Sequence, residues 1–236
     1  MAQTKLALTW LGHGTFLFTT PQGRRILVDP WVMGNPACPA DRKAIGKLDL
    51  ILVTHGHSDH AGDAVEIAGA TGAPVVGNFE VCQWLARQGV QKVLPMNKGG
   101  TQVLAGTRVT MVHALHSSSH IDDSGITYLG EAAGYVLGFD PGPVVYFAGD
   151  TAVFGDMALI GELYAPAIAV LPIGDLFTMG PDEAAKACAL LGVKRVVPMH
   201  FATFPALTGT EQALRARVEP KGIEVIALKP GQTAEV

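Results

Sequence analysis

Cysteine is scarce in this sequence of 236 residues. Cys38, Cys82 and Cys188 lie far apart, and none belongs to a C-x-x-C pair, which argues against a disulfide framework or a cysteine-based zinc site. We therefore expect a reducing, cytoplasmic location. Long apolar runs are also absent. No apolar run reaches the roughly 18 residues that a membrane-spanning helix needs. The sequence predicts a protein with no membrane partner.

Charged side chains are few as well, at 16% of the chain, and the formal net charge is −4. Lysine and arginine are spread thinly and form no basic run, which argues against nucleic acid as a partner. Hydrophobic residues are plentiful at 48%, enough for the core of one compact domain over residues 1–236. A small-molecule substrate is the expected partner, and a homo-oligomer is left open.

Short β-branched and apolar runs recur along the chain, and each predicts a strand. These runs are Leu6–Leu11, Thr15–Thr19, Ile26–Val28, Leu48–Val53, Pro74–Val76, Arg108–Val112, Gly134–Leu137, Val144–Phe147, Ile168–Leu171 and Arg195–Val197. Helical patterns are fewer: Gly62–Ala70, Phe79–Gln88 after a capping Asn78, and Asp182–Leu191 after Pro181. We expect two packed sheets with helices outside them.

Polar side chains directly follow three of the predicted strands. His55 follows Leu50–Thr54, Asp150 follows Val144–Gly149, and His200 follows Arg195–Met199. Strand ends are rigid platforms whose following loops can present ligands toward a common rim. Two packed sheets would bring these three residues into one cleft.

The densest group of polar residues is His55-Gly-His57-Ser-Asp59-His60. Zinc, manganese and iron all accept imidazole nitrogen and carboxylate oxygen as ligands. Four ligands are too many for one open catalytic ion, and the alternation of His55 and His57 separates them from Asp59 and His60 on the next segment. A solvated turn would explain any single histidine, but the surrounding strand, helix and downstream candidates favour two adjacent metals.

These motifs resemble those of a known family over nearly the full chain. Its successive metal motifs are similar to Thr54–His60, Gly149–Thr151 and Met199–Phe201. Four further segments resemble a branch of metal-dependent hydrolases related to ascorbate-6-phosphate lactonase: Trp10–His13, Ile26–Pro30, His116–Ser119 and Phe177–Pro181. The family is the metallo-β-lactamase superfamily. The resemblance implies an αββα sandwich, in which two mixed β-sheets pack face to face with helices on the outside.

The resemblance also implies a ligand set for two divalent ions, with zinc expected first and manganese or iron as alternatives. One ion would bind His55, His57 and His116, the other Asp59, His60 and His200, with Asp150 as the bridge. The residue chemistry agrees, because a hydrolytic pair of ions about 3.5–4 Å apart holds a hydroxide between them.

Two carboxylates and a hydroxide leave such a centre with net positive charge, which suits a small anionic substrate or an anionic intermediate. We therefore expect a metal-bridging hydroxide to cleave an ester, lactone or phosphodiester bond. Asp59 is also expected to be a catalytic residue.

Three further polar residues are candidates for the site. Asp29 ends a strand and is expected to support a metal-binding histidine, although it could be a turn residue only. His13 lies in a Gly-His-Gly turn and is either an active-site residue or one that tolerates unusual backbone angles. His120, four residues beyond His116, is expected to contact substrate or transfer a proton to the leaving group.

The remaining candidates carry weaker signals. Thr178 and Met179 are expected to line the substrate pocket, although a buried methionine can simply fill a core. His113 is expected to be a strand-end residue rather than a ligand. Leu176 departs from the family pattern, which often has a polar side chain at this position. The resemblance therefore says less about the identity of the substrate than about the metal site.

Two other functions are compatible with the motifs. The same fold hosts iron-dependent sulfur dioxygenases, and a non-catalytic metal-binding module would use the same ligands. A true β-lactamase is disfavoured because Asp150 stands at the bridging position instead of cysteine.

Overall fold

The computed structural model describes residues 5–236. The strands in chain order are β1 (Ala7–Gly12), β2 (Thr15–Thr19), β3 (Arg25–Val28), β4 (Leu50–Leu52), β5 (Val75–Asn78), β6 (Val93–Met96), β7 (Thr101–Leu104), β8 (Thr107–His113), β9 (Ser119–Asp122), β10 (Gly125–Tyr128), β11 (Ala133–Phe139), β12 (Val144–Phe147), β13 (Ile168–Pro172), β14 (Arg195–Met199), β15 (Glu224–Val225) and β16 (Thr233–Glu235). The helices are α1 (Ser58–Ala61), α2 (Ala64–Thr71), α3 (Phe79–Arg87), α4 (Met157–Tyr164), α5 (Pro181–Leu191) and α6 (Glu211–Val218).

Within the described residues, the strands form two mixed seven-stranded sheets and a separate hairpin of β9 and β10. The first sheet has the order β16-β1-β2-β3-β4-β5-β6, with antiparallel pairing up to β3 and parallel pairing from β3 onward. The second has the order β15-β14-β13-β12-β11-β8-β7 and is parallel from β12 to β15. Each half of the chain therefore builds one sheet, apart from the C-terminal strand β16.

The two sheets pack face to face because their central strands are apolar on both sides. In β4, Leu50 and Leu52 face the core between the sheets, whereas Ile51 faces the outer layer. The same period of two places Tyr135 of β11 between the sheets and Val136 outside them. Helices α2 and α3 cover the first sheet, and α4, α5 and α6 cover the second.

The strands that precede the ligand candidates end at one edge of this sandwich. Two backbone hydrogen bonds join the sheets there: the His200 amide donates to the His13 carbonyl at 3.1 Å, and the Ala133 amide donates to the Thr54 carbonyl at 3.0 Å. These bonds fix the loops of one sheet against those of the other.

The predicted αββα sandwich is confirmed, and each predicted strand is present. The helices after Asn78 and at Pro181 are also present, ending at Arg87 and Leu191. The helical pattern over Gly62–Ala70 corresponds to α2, which begins at Ala64, and the short helix α1 precedes it, separated from it by Gly62 and Asp63. In residues 5–236, no helix combines the length and the apolar character that crossing a membrane requires.

Candidate metal centre

The centre is organised around one carboxylate oxygen, Oδ2 of Asp150. The imidazole Nε2 atoms that lie within 4.0 Å of it belong to His200 at 3.1 Å, His60 at 3.3 Å, His116 at 3.7 Å and His55 at 4.0 Å. Asp150 is buried, and it follows β12 directly through Ala148 and Gly149. Four imidazoles and one carboxylate therefore converge on a single point.

The potential ligands form two main clusters and a third group that overlaps both. In each, one ligand atom from every residue lies within 4.8 Å of the others. The first cluster is His55, His57 and His116, and the second is His13, Asp59, His60 and His200. The third group, Asp29, His55 and His60, shares one histidine with each cluster. The structure thus brings together all seven residues that the sequence predicted as ligands, with Asp150 against both clusters, and it adds His13.

The local geometry follows from the loop between β4 and α1. His55 leaves the end of β4, and His57 has extended backbone at the N-terminus of α1, so the two rings approach each other with Nε2 of His55 3.1 Å from Nδ1 of His57. Asp59 and His60 lie inside α1 and point toward the second cluster. The two pairs thus belong to different clusters, although the ring centroids of His55 and His60 are only 4.2 Å apart.

Several buried atoms at this centre have no hydrogen-bond partner among the described residues: Nε2 of His60, both ring nitrogens of His200 and Oδ1 of Asp150. Burying polar atoms without partners is costly, and native proteins rarely do so unless an ion or water completes them. The separations from His60 and His200 to Asp150 are short, but their angles are not those of hydrogen bonds. The donor set therefore fits a metal that accepts imidazole and carboxylate ligands.

Burial sets the protonation of the first cluster. It lowers the pKa of His55 well below its ordinary value and also lowers the pKa of His57 and His116. These three imidazoles are consequently neutral near pH 7, which is the form that binds metals.

His60 behaves in the opposite way. Burial by itself would lower its pKa, but the carboxylates of Asp150 and Asp29 lie on either side of the ring and raise the pKa well above the ordinary value. Burial would likewise raise the pKa of Asp150, but His200 and His60 hold it well below its usual range. Without a metal, His60 therefore holds a proton between two carboxylates.

Asp29 makes the contact that its predicted supporting role requires. Its Oδ2 accepts a hydrogen bond from Nδ1 of His60 at 2.8 Å and another from the Thr54 hydroxyl at 2.7 Å, while Oδ1 accepts from the Thr54 amide at 2.8 Å. The residue is fully buried, with a left-handed φ of 51°. Its role in metal affinity stays a prediction.

His13 is buried beside Asp59, and burial lowers its pKa to about 4, so the ring is neutral at pH 7. Its Nε2 lies 3.0 Å from Oδ2 of Asp59, a carboxylate that can only accept, so the ring proton is on Nε2. Nδ1 then accepts from the Thr203 hydroxyl at 3.0 Å. Thr203 thereby orients His13, and His13 orients Asp59.

A cavity of about 290 Å³ opens onto the centre. It is lined by His57, Asp59, His116, Ser117, Asp150, Phe177 and His200. A volume at the low end of the usual range for ligand pockets suits a small substrate.

Some predicted pocket residues do not reach this cavity. The ring of His120 packs on Trp84 of α3, with centroids 4.5 Å apart, and is not part of the cavity lining. Met179 belongs to the core beneath the second sheet, and Thr178 donates to the Met179 carbonyl. His113 ends β8, as expected, with Nδ1 3.1 Å from Nζ of Lys98. The proposed proton transfer by His120 stays a prediction.

Sequence reasoning missed four residues with clear roles in this geometry. Three of them, Phe177, Ser117 and Thr151, lie within the motifs described above. No feature of those motifs distinguishes these three residues from their neighbours. Thr151 joins two loops, because its hydroxyl accepts from the Leu115 amide and its carbonyl accepts from the Met179 amide. Thr203 carries no sequence signal at all.

Comparison with known proteins identifies the family. Residues 24–201 match the model of the beta-lactamase superfamily domain. The chain belongs to the beta-lactamase superfamily. It is 52% identical over 230 residues to a UPF0173 metal-dependent hydrolase of Solibacter usitatus, covering 98% of this chain and 100% of that protein. A second UPF0173 metal-dependent hydrolase, from Koribacter versatilis, is 53% identical over 228 residues, with 97% of each chain covered.

A solved structure has the same architecture. Igni18, a metallo hydrolase from the archaeon Ignicoccus hospitalis, aligns with a TM-score of 0.88 at 36% identity, covering 99% of each chain. These relatives confirm the predicted superfamily and fold. The chain is a metal-dependent hydrolase, and its His/Asp cluster is able to hold metal.

Proposed function

We propose that this superfamily member is a dinuclear hydrolase that cleaves an ester, lactone or phosphodiester bond of a small molecule. The observation that carries the proposal is the convergence of four imidazole Nε2 atoms within 4.0 Å of Oδ2 of Asp150. One carboxylate oxygen shared by two ligand clusters is the arrangement of a bridging ligand.

Each of the two ions would be bound by its own group of residues. His55, His57 and His116 would hold one ion, and Asp59, His60 and His200 the other. When bound, the ions would polarise the scissile carbonyl or phosphoryl oxygen and supply hydroxide near neutral pH. The expected metal is zinc, with manganese or iron as alternatives.

Asp59 contributes through its position. It is partly exposed on the cavity wall, and its Oδ2 is held by His13. Burial would raise its pKa, but the hydrogen bond from His13 and the nearby charge of His60 lower it, so Asp59 stays ionised and can accept a hydrogen bond from a substrate or a water. This position favours the predicted catalytic role of Asp59.

The test combines metal content with activity. Protein loaded with zinc or manganese should hold two ions per chain, as expected for a dinuclear site, and should hydrolyse p-nitrophenyl acetate, a lactone or bis-p-nitrophenyl phosphate. Asp150→Asn should lose metal and reduce kcat by at least about 10²-fold. The exposed Asp123→Asn is the matched control and should match the wild type.

Two results would contradict the proposal. One is full loading with two metals and no turnover on any substrate class, which would favour a metal-binding module. The other is a single bound iron with oxygen uptake in the presence of a persulfide, which would favour a sulfur dioxygenase.

A further inference from the structure

The loop after β13 has an unusual backbone conformation at the cavity mouth. Asp175 and Leu176 are consecutive non-glycine residues with left-handed φ angles of 67° and 57°. Their conformation is held locally, because the Asp175 carboxylate accepts from the Leu176 amide at 2.7 Å and the Asp175 carbonyl accepts from the Phe177 amide at 2.6 Å. Such conformations are unfavourable in non-glycine residues and cluster where function requires them.

Two large apolar side chains of this loop face solvent. Leu176 is 65% exposed and Phe177 is 62% exposed, although Met179, two residues later, is buried in the core. Phe177 lines the cavity together with His57, His116 and other members of the metal centre. An exposed aromatic ring beside a reactive centre indicates a contact with a ligand.

Two other loops beside the metal centre also expose apolar side chains. Leu115, which precedes His116, is 52% exposed, and its loop is tied through Thr151 to the loop that carries Phe177. Phe204, 39% exposed, packs against the rings of Trp31 and His13. We call Leu115, Leu176, Phe177 and Phe204 the apolar rim.

The cavity itself offers little to hold a charged substrate. Among the described residues that line it, the polar ones are the candidate ligands and Ser117, and none is lysine or arginine. Positive charge would come from the metal ions alone. The surroundings therefore suit a substrate that is neutral and apolar beyond its reacting bond.

We propose that the apolar rim binds the acyl chain or aryl group of a neutral ester, with Phe177 as the main contact. This inference rests on the proposed function and names its substrate class. In the reaction, the oxygen of water bonds to the acyl carbon, the acyl C–O bond breaks, and the products are a carboxylic acid and an alcohol that takes the proton.

The first test uses ligands that are not hydrolysed. Straight-chain hydroxamates from acetyl to octanoyl are titrated into zinc-loaded full-length protein by calorimetry. Full burial of a methylene would raise affinity about fourfold, so at a partly open rim we expect about twofold per methylene. Phe177→Ala should weaken octanohydroxamate binding about tenfold and acetohydroxamate binding less than about twofold.

Leu163→Ala is the matched control, because Leu163 is an equally exposed apolar residue on α4, outside the cavity lining. Leu163→Ala should preserve the dependence of affinity on chain length. Phe177→Leu should keep part of the dependence that Phe177→Ala loses. Saturation-transfer NMR on metal-free protein gives a second readout. The terminal methylenes of octanohydroxamate should receive saturation from the wild type and lose it in Phe177→Ala.

The outcomes separate this inference from the proposed function. Chain-length dependence without hydrolysis of any ester, lactone or phosphodiester would support binding of the chain by the rim and refute the proposed hydrolytic function. Equal affinity for all chain lengths, or a dependence that Phe177→Ala leaves intact, would overturn the rim. A dimer that dissociates in Phe177→Ala, with chain-length dependence unchanged, would identify the rim as an interface between copies and also overturn the inference.

Discussion

Asp29 and His60 form the buried pair on which ligand geometry most directly depends. Nδ1 of His60 lies 2.8 Å from Oδ2 of Asp29, and Nε2 faces Asp150. A proton on Nδ1 leaves the lone pair of Nε2 available to a metal, and a carboxylate partner favours that tautomer. Asp29 therefore sets the tautomer of His60, the residue that is expected to bind the metal.

Asp29→Asn is expected to lower zinc affinity by about 10- to 100-fold. Asparagine can keep one oxygen for the Thr54 amide, but it then presents an N–H to His60 and favours the tautomer whose Nε2 cannot bind metal. Competition titrations with a chelator measure the affinity, and thermal unfolding of the metal-free variant shows whether it folds. Unchanged affinity in a folded variant would refute this role, with Asp123→Asn as the control.

Gly14 provides the space in which the His60 ring lies. A Cβ atom built at this position would be 2.5 Å from Cε1 and 2.8 Å from Nδ1 of His60. We expect Gly14→Ala to displace the ring and reduce the number of bound metals, measured by elemental analysis.

Gly69→Ala is the control for this substitution. Gly69 lies inside α2, and no atom is within 4 Å of an added Cβ. That change should leave metal content intact and raise the free energy of unfolding by about 0.5–1 kcal/mol, because alanine favours helix. Full metal content in Gly14→Ala would show that His60 can move without loss of the site.

At the scale of elements, α3 is anchored by a residue with two functions. Oδ1 of Asn78 accepts from the Val81 amide at 2.7 Å and caps the helix, while Nδ2 donates to the carbonyls of Leu129 and Glu131, both at 2.9 Å. Asn78 thus fixes the start of α3 and the segment that leads into β11.

Asn78→Ala is expected to reduce the free energy of unfolding by about 2–3 kcal/mol, since it removes a helix cap and two further hydrogen bonds, to the carbonyls of Leu129 and Glu131. Thr210→Ala removes only the cap of α6, where the Thr210 hydroxyl accepts from the exposed Ala213 amide, and should cost about 1 kcal/mol. Urea unfolding of both variants measures the difference. Equal losses would contradict the second function of Asn78.

The elements that the sequence predicted differ physically from those it missed. Central strands such as β4 and β13 are buried on both faces and so are apolar throughout. By contrast, the one exposed residue of β6 is Pro95, and every residue of β10 is exposed. Edge strands pair through backbone atoms, and their side chains need follow no apolar pattern.

For the whole molecule, metal binding and stability are linked through the proton of His60. Because the folded-state pKa of His60 is raised above 6.5, its stabilising contribution is full below that pH and is lost as pH rises through the folded pKa. Metal-free protein should therefore lose stability as the pH rises above 6.5. Urea unfolding across this range, after chelation, measures the effect.

The same proton must leave when metal binds. At pH 7 the imidazoles of His55, His57 and His116 are already neutral, so zinc binding should release one proton from His60, in addition to the proton that a metal-bound water would lose on becoming hydroxide. Calorimetry in buffers of different ionisation enthalpy counts the protons. His113→Ala, outside both clusters, should not change the number, and heats that are equal in all buffers would contradict the prediction.

The layers and the ligand types could be predicted from the amino-acid pattern alone. Continuous apolar runs predict strands that are buried on both faces, and the His55–His60 motif already contains four candidate ligands within six residues. Which distant groups meet these ligands follows from the tertiary structure. The approach of His116, Asp150 and His200 depends on how the sheets stack, and the contacts of Thr203 with His13 and of Phe177 with the cavity depend on loop conformations that no local pattern specifies.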